Sequence, residues 1–272
     1  MLMISARKDF WSSTELSDAD EIRDVNLNDD LLGTPIANNV FLQQINGNKI
    51  LLLIHGYNNE EDDVVRAYNI IEGNVDSLLR RDDGTPLYDL IVGYTWPGGD
   101  DGLDYFAAKR RASAVAPRVY RLLEALRRNG ATIDIMGHSI GCRVSLSALQ
   151  GRLYLPDMIR NLYLTAAAVD NESIEKDEEY WSSVSACRNL FVFHSKNDDV
   201  LNVSYRVAEL DEALGYSGPE NPADIIQNAP HVKVINCKNV VFKHGGYKNC
   251  ADMYSYIKGE FGAKPAPQYK TL

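Results

Sequence analysis

From residue 49 onward, short apolar runs alternate with longer amphipathic segments. Runs near 49–55, 88–95, 131–136, 160–168, 189–194 and 232–237 are rich in Ile, Leu, Val and aromatic residues. They read as strands, several of them too continuously apolar to have a solvated face. The spacers between them suit crossover helices, so the pattern predicts an α/β fold, a mostly parallel central sheet with helices on both faces. The first spacer predicts a helix with Asn59 as N-cap and Glu60, Glu61, Asp62 and Asp63 against the positive end of its dipole. Its buried stripe would be Val64, Tyr68, Ile71, Val75 and Leu78. Between Asp104 and Asn129 the period is again helical, but Pro117 lacks a backbone donor and predicts a break into two helices, with Gly130 as the stop.

The two ends read differently. Eight acids (Asp9, Glu15, Asp18, Asp20, Glu21, Asp24, Asp29, Asp30) outweigh Arg7, Lys8 and Arg23 in the first 30 residues, so 1–48 is expected to be an acidic surface extension. The tail GAKPAPQYKTL has two prolines and little apolar content, and 262–272 is expected to be flexible. No repeat or composition shift divides the chain. At 272 residues, 45% hydrophobic and 24% charged, it fits one domain with its core at about 49–258.

Composition narrows the function classes. A net charge of -10 argues against a nucleic-acid partner, whose phosphates need clustered cations. The basic stripe Lys109, Arg110, Arg111, Arg118, Arg121, Arg127 and Arg128 shares its helix with apolar Val115, Val119, Leu122 and Leu126, which makes it a solvated helix face. No run approaches the roughly 18 apolar residues of a membrane span, and the opening residues lack a secretory signal pattern. Cys142, Cys187, Cys237 and Cys250 are too dispersed for a disulfide framework; reduced thiols and a cytoplasmic location are expected.

The chemistry concentrates where strands end. In IDIMGHSIGCRVSLSALQ, Gly137, Ser139 and Gly141 form a GxSxG, which chance alone gives in roughly one chain in ten of this length. Here it lies between a strand-like run and a helical pattern, the strand, sharp turn and helix of a nucleophile elbow. Small residues two positions away on each side let the serine project above the sheet. Attack on a carbonyl then needs preset N–H donors. Ile140 would supply one; the other would come from Tyr57 in LLLIHGYNN, with Gly56 allowing close approach and His55 as a structural hydrogen-bonding residue.

An acid and a base should follow the serine. In NLFVFHSKNDDVLNVS, Asp198 stands where a strand gives way to a loop and is the first candidate for the acid; Asp199 and Asp170 are alternatives. For the base, His244 follows a strand-like run and precedes two glycines, whereas His231 stands at the entering end of a strand, away from the carboxyl ends where α/β sites form. His138 lies inside the elbow, and His194 precedes the acid.

With these motifs (IHGYNN, YTWPGG, GHSIG, SKNDDVL and KHGGY), the chain resembles the α/β-hydrolase superfamily over about 49–258, and within it a bacterial family of uncharacterised serine hydrolases of the DUF900 type. The resemblance implies a triad of Ser139, Asp198 and His244, with the Tyr57 and Ile140 amides as oxyanion hole. Trp96 and Tyr105 match positions that recur near the pocket in such families, a placement that packing would explain equally, and His55 and His138 are expected beside them at the substrate site. Gly98 stands where a serine is expected after Trp96-Pro97, and Gly245-Gly246-Tyr247 replaces a bulkier sequence after His244. The expected activity is serine hydrolysis of an ester, thioester or lipid-like substrate, a small-molecule acyl compound, without metal or organic cofactor. The short acidic segment from Asp170 to Ala186 leaves little or no large lid. Two alternatives share the motifs: an acyltransferase using the same triad, and a scaffold whose triad has decayed.

Overall fold

The computed structural model describes residues 1–57, 61–99, 105–151, 157–262 and 266–272. Its strands are β1 (Leu2–Arg7), β2 (Leu16–Asn26), β3 (Asp30–Pro35), β4 (Lys49–Ile54), β5 (Leu90–Thr95), β6 (Thr132–His138), β7 (Ile159–Thr165), β8 (Cys187–His194), β9 (Val232–Asn236) and β10 (Tyr269–Thr271). The helices are α1 (Asn38–Gln44), α2 (Glu61–Leu78), α3 (Tyr105–Arg128), α4 (Ile140–Leu149), α5 (Trp181–Ser185), α6 (Arg206–Glu209), α7 (Leu214–Ser217), α8 (Pro222–Asn228) and α9 (Ala251–Glu260).

Among the described residues the ten strands make one sheet, ordered β10-β9-β8-β7-β6-β4-β5-β1-β2-β3. All pairings from β10 to β1 are parallel, and β2 and β3 continue the sheet antiparallel. Ile50 to Ile54 of β4 are all buried, as a strand covered on both faces requires. The crossover β4-α2-β5 steps one way across the sheet, and β5-α3-β6 steps back past β4. Right-handed crossovers in opposite directions put α2 and α3 on opposite faces. The order reverses beside β4, a switch point where α/β folds leave a crevice at the strands' carboxyl ends.

The six strands expected from the sequence are present. The ends of the chain correct the reading. Residues 1–48 are no surface excursion: β1 lies inside the sheet between β5 and β2, and Leu2 to Arg7 are all buried. Half of the acids in the count, Asp18, Asp20, Glu21 and Asp24, fall on β2, and none of these four is buried. The tail is corrected too. Tyr269 to Thr271 pair with Val234 to Asn236, and Leu272 O accepts from Asn239 Nδ2 at 2.9 Å.

α3 is one helix, not two. Pro117 and Ser113, whose carbonyl the proline cannot serve, are both on the exposed side, so the freed acceptor faces solvent and the helix continues. The stripe of α2 holds at Val64, Tyr68 and Val75 but ends on Leu79, just past the helix, while Leu78 is exposed. The expected Asn59 cap lies outside the described residues. From the basic stripe, Lys109 pairs with Glu209 at 2.6 Å and Arg118 with Asp20 at 2.9 Å. All four cysteines are free and buried.

Strand register aligns the carboxyl ends that carry the motifs. Ile54 pairs with Tyr94 and Gly137, His138 with Thr165, Thr165 with Phe193, and His194 with Asn236. The residues that follow, His55, Trp96, Ser139 and Ser195 to Asp198, therefore share one rim.

Candidate active site

Ser139 links β6 to α4 with φ 56° and ψ −125°, a left-handed conformation that costs a non-glycine residue of order 1–3 kcal/mol. The turn is held on all sides. Ser139 N donates to Thr165 O at 3.0 Å, Cys142 N to Ser139 O at 3.0 Å, and the Thr165 hydroxyl to Gly137 O at 2.8 Å. Close packing accounts for the glycine at 141. A Cβ there would lie 2.3 Å from Ile54 O and 2.4 Å from His55 O, inside the backbone of the neighbouring strand end.

The same contact brings the loop after β4 against the elbow. A Cβ on Gly56 would be 2.7 Å from Ser139 Cβ and 2.9 Å from His138 O. Tyr57 follows at once, and Ile140 supplies the first amide of α4, one of those a helix leaves without an intrahelical acceptor.

His55 and Trp96 lock this loop. His55 Nδ1–H donates to Gly56 O at 2.9 Å, and Nε2 accepts from Trp96 N–H at 3.1 Å. Trp96 Nε1–H donates back to His55 O at 2.9 Å, and the rings stack 5.7 Å apart. Burial and the nearby Arg7 guanidinium push the His55 pKa down to about 3, so the ring is a neutral strut. With Trp96 wholly buried and His55 nearly so, both brace the loop: His55 holds the structural hydrogen-bonding role expected of it, and Trp96 packs, so neither lines the substrate pocket where the site expectation also put them.

Asp198 is fully buried beyond the end of β8 and accepts His244 Nδ1–H at 2.8 Å (Oδ2) and 3.0 Å (Oδ1). Its Oδ1 also accepts Leu201 N–H at 3.0 Å. The two loops are tied independently, by Ser195 Oγ donating to Val241 O at 2.7 Å and Asn197 Nδ2 to Lys238 O at 2.6 Å. The other acids do different work. Asp199 is exposed, and Asp170 accepts the Tyr205 hydroxyl at 2.5 Å.

His138 joins the Ser139 turn to His244: its Nε2–H donates to His244 O at 3.1 Å, and the two rings are 4.8 Å apart. Burial, then the neighbouring His244, push its pKa down to about 3. Among the described residues no hydrogen bond joins Ser139 Oγ to His244; the link between them is His138, the residue before Ser139, through its bond to His244 O. His231 is remote, donating to Val184 O at 3.1 Å where β9 begins, and His194 donates to Tyr216 O at 3.4 Å. Tyr105 packs edge-on to Tyr57 at 6.1 Å, beside the elbow loop.

Two contributors escaped the sequence reading. The Tyr68 hydroxyl, on the buried stripe of α2, accepts His55 N–H at 3.0 Å and lies 2.7 Å from Tyr94 O, pinning the loop to both strands. Arg7 Nε, on β1, donates to Thr95 Oγ1 at 3.0 Å. An apolar helical stripe hides the first, and the acidic count around β1 hid the second. Among the described residues no group of three or more His, Cys, Asp or Glu is placed to hold a metal ion, and no helix is long and apolar enough to cross a membrane.

A family model described as an alpha/beta hydrolase of unknown function (DUF900) matches residues 36–245. Among solved structures, a hyperthermophilic esterase from the archaeon Pyrobaculum calidifontis is similar at 12% identity and TM-score 0.43, over 79% of this chain and 76% of that one. The alpha/beta hydrolase MGS-M1 from a Medee basin deep-sea metagenome library is similar at 11% identity and TM-score 0.40, over 92% of each chain. No curated protein matches the chain.

Proposed function

The chain belongs to the DUF900 family of alpha/beta hydrolases, and on that premise we propose that it is a serine hydrolase that cleaves esters or thioesters through an acyl-enzyme. The observation that carries this reading is the buried Asp198 carboxylate, 2.8 Å from His244 Nδ1, beside a serine on a positive-φ strand-to-helix turn. In the neutral ring, an Nδ1–H held by a carboxylate puts the lone pair on Nε2, the tautomer a general base needs.

In this mechanism His244 Nε2 takes the Ser139 proton as Oγ attacks the carbonyl carbon, the contact closing in the substrate complex. Asp198 keeps the imidazole oriented and stabilises the imidazolium. The Ile140 and Tyr57 amides receive the oxyanion, and His55, Trp96 and Tyr68 keep the Tyr57 loop in place before charge develops. The imidazolium returns its proton to the leaving group. Water, activated by the same base, then releases the acid and regenerates Ser139. Hydrolysis of short-chain 4-nitrophenyl esters tests the reading. Ser139→Ala and His244→Ala should each lose at least about 10³-fold in kcat/KM while keeping wild-type circular dichroism. Undiminished turnover in either folded variant would overturn it.

A further inference from the structure

Arg143 stands four residues after Ser139, one turn into α4. It is 95% buried, being 5% exposed, which is rare for a cation. Its Nη1 donates to the Tyr180 hydroxyl at 3.1 Å and lies 3.8 Å from Glu179 Oε1. Its Nε and Nη2 are buried with no hydrogen-bond partner. These two nitrogens carry the parallel N–H bonds on one edge of the guanidinium, the fork that grips a carboxylate through both oxygens.

The surroundings leave that edge unanswered. Tyr105, Tyr180 and Tyr205 are the guanidinium's aromatic neighbours, and the Tyr105 hydroxyl is engaged by Glu209. Nearby acids are committed elsewhere: Asp170 accepts Tyr205, and Glu209 takes Lys109 Nζ at 2.6 and 2.8 Å. A buried guanidinium edge with no acceptor is costly, so its retention points to a ligand. The cluster also adjoins the reaction site. Helical side chains lean toward the helix N-terminus, which for α4 is Ser139, and Tyr105 packs against both Tyr57 and Tyr205, at 6.1 and 6.3 Å.

Resting on the serine-hydrolase reading above, we infer that the Nε/Nη2 edge of Arg143 binds a carboxylate carried by the substrate. Arg143 is then a specificity-determining residue and takes no part in bond making. A single negative charge fits this cluster better than a phosphate dianion, because Glu179, Asp170 and Glu209 would repel the second charge.

The test is a pair of matched comparisons of kcat/KM. The half-ester 4-nitrophenyl adipate against 4-nitrophenyl heptanoate puts the charge on the acyl side, and 4-acetoxybenzoate against its methyl ester puts it on the leaving side. A charge-assisted contact should make the wild type prefer the anionic member of at least one pair by about tenfold to hundredfold. Arg143→Gln should reduce that ratio to near one. Arg143→Lys, which keeps the charge without the fork, should lose most of it. A wild-type preference for the neutral member of both pairs overturns the inference while leaving serine hydrolysis intact, as does a ratio unmoved in a folded Arg143→Lys. If no ester turns over and Ser139 resists a fluorophosphonate, the parent reading has failed and this one with it.

Discussion

Replacing Asp198 with Asn probes the core of the mechanism with the least steric change. The carboxylate is 0% exposed, and both oxygens lie within 3.0 Å of His244 Nδ1. An Asn fills the same space but has one acceptor, to be divided between His244 and the Leu201 amide. During attack, the imidazolium would lose an anionic partner about 4 Å away between charge centres. At an effective dielectric near 20 that is worth roughly 4 kcal/mol, about three decades in rate. An amide N–H turned toward Nδ1 would also favour the wrong tautomer, taking the expected loss in kcat to between ~10³ and ~10⁴. The cost to stability should be only about 1 kcal/mol, one hydrogen bond weakened. The assay is steady-state ester hydrolysis beside thermal melts of Asp198→Asn, Asp199→Asn and Asp170→Asn. Exposed Asp199 should be nearly silent, and Asp170→Asn should weaken the Tyr205 contact without touching the base. Full activity in Asp198→Asn together with its loss in Asp170→Asn would refute the assignment of the acid.

Other consequences are equally direct. Gly56→Ala forces a Cβ to within 2.7 Å of Ser139 Cβ and should abolish most turnover, whereas Gly245→Ala, which meets nothing within 4 Å, should keep its melting temperature. Gly141→Ala would drive a Cβ into two carbonyl oxygens and should give little folded protein, as judged by soluble yield. Burial depresses the pKa of His55 to about 3 and of His194 to about 4, from 6.5. The unfolded chain therefore binds protons below about pH 6.5 that the folded one refuses, and stability falls as pH drops, by about 2 kcal/mol per histidine at pH 5. Urea midpoints at pH 7.5 and 5.0 check this, and equal midpoints contradict it. Tyr68→Phe strips the acceptor from His55 N–H and should cost about 1–3 kcal/mol in chemical denaturation.

Much of this was legible because a parallel strand buried on both faces leaves a continuous apolar run, and its end is marked by whatever polar residue follows. LLLIHG and IDIMGHS announce both strand and rim in a single stretch. β1 escaped for a different reason: its apolar run, Leu2 to Ile4 with Ala6, is short, and the charges of its antiparallel partner β2 dominate the local count. β10 is three residues long behind two prolines, and it is a strand only because β9 offers an open edge. Pro117 misled because the penalty for a helical proline depends on whether the freed carbonyl can reach water, which a linear sequence does not record. Resemblance puts Trp96 near the pocket; its burial against His55 comes from ring stacking and a reciprocal pair of hydrogen bonds between separate strand ends, which a linear sequence does not record. Arg143 carried no signal at all, since an arginine one turn into a helix is normally solvated.

The account stands on Ser139 being a nucleophile activated by His244. Intact-mass and peptide mass spectrometry after exposure to a fluorophosphonate measures this without knowledge of the natural substrate. The expected result is one adduct on Ser139 in the wild type, none on Ser139→Ala, and sharply slower labelling of His244→Ala and Asp198→Asn. A folded wild-type protein that stays unlabelled, or an adduct that persists in Ser139→Ala, would contradict it.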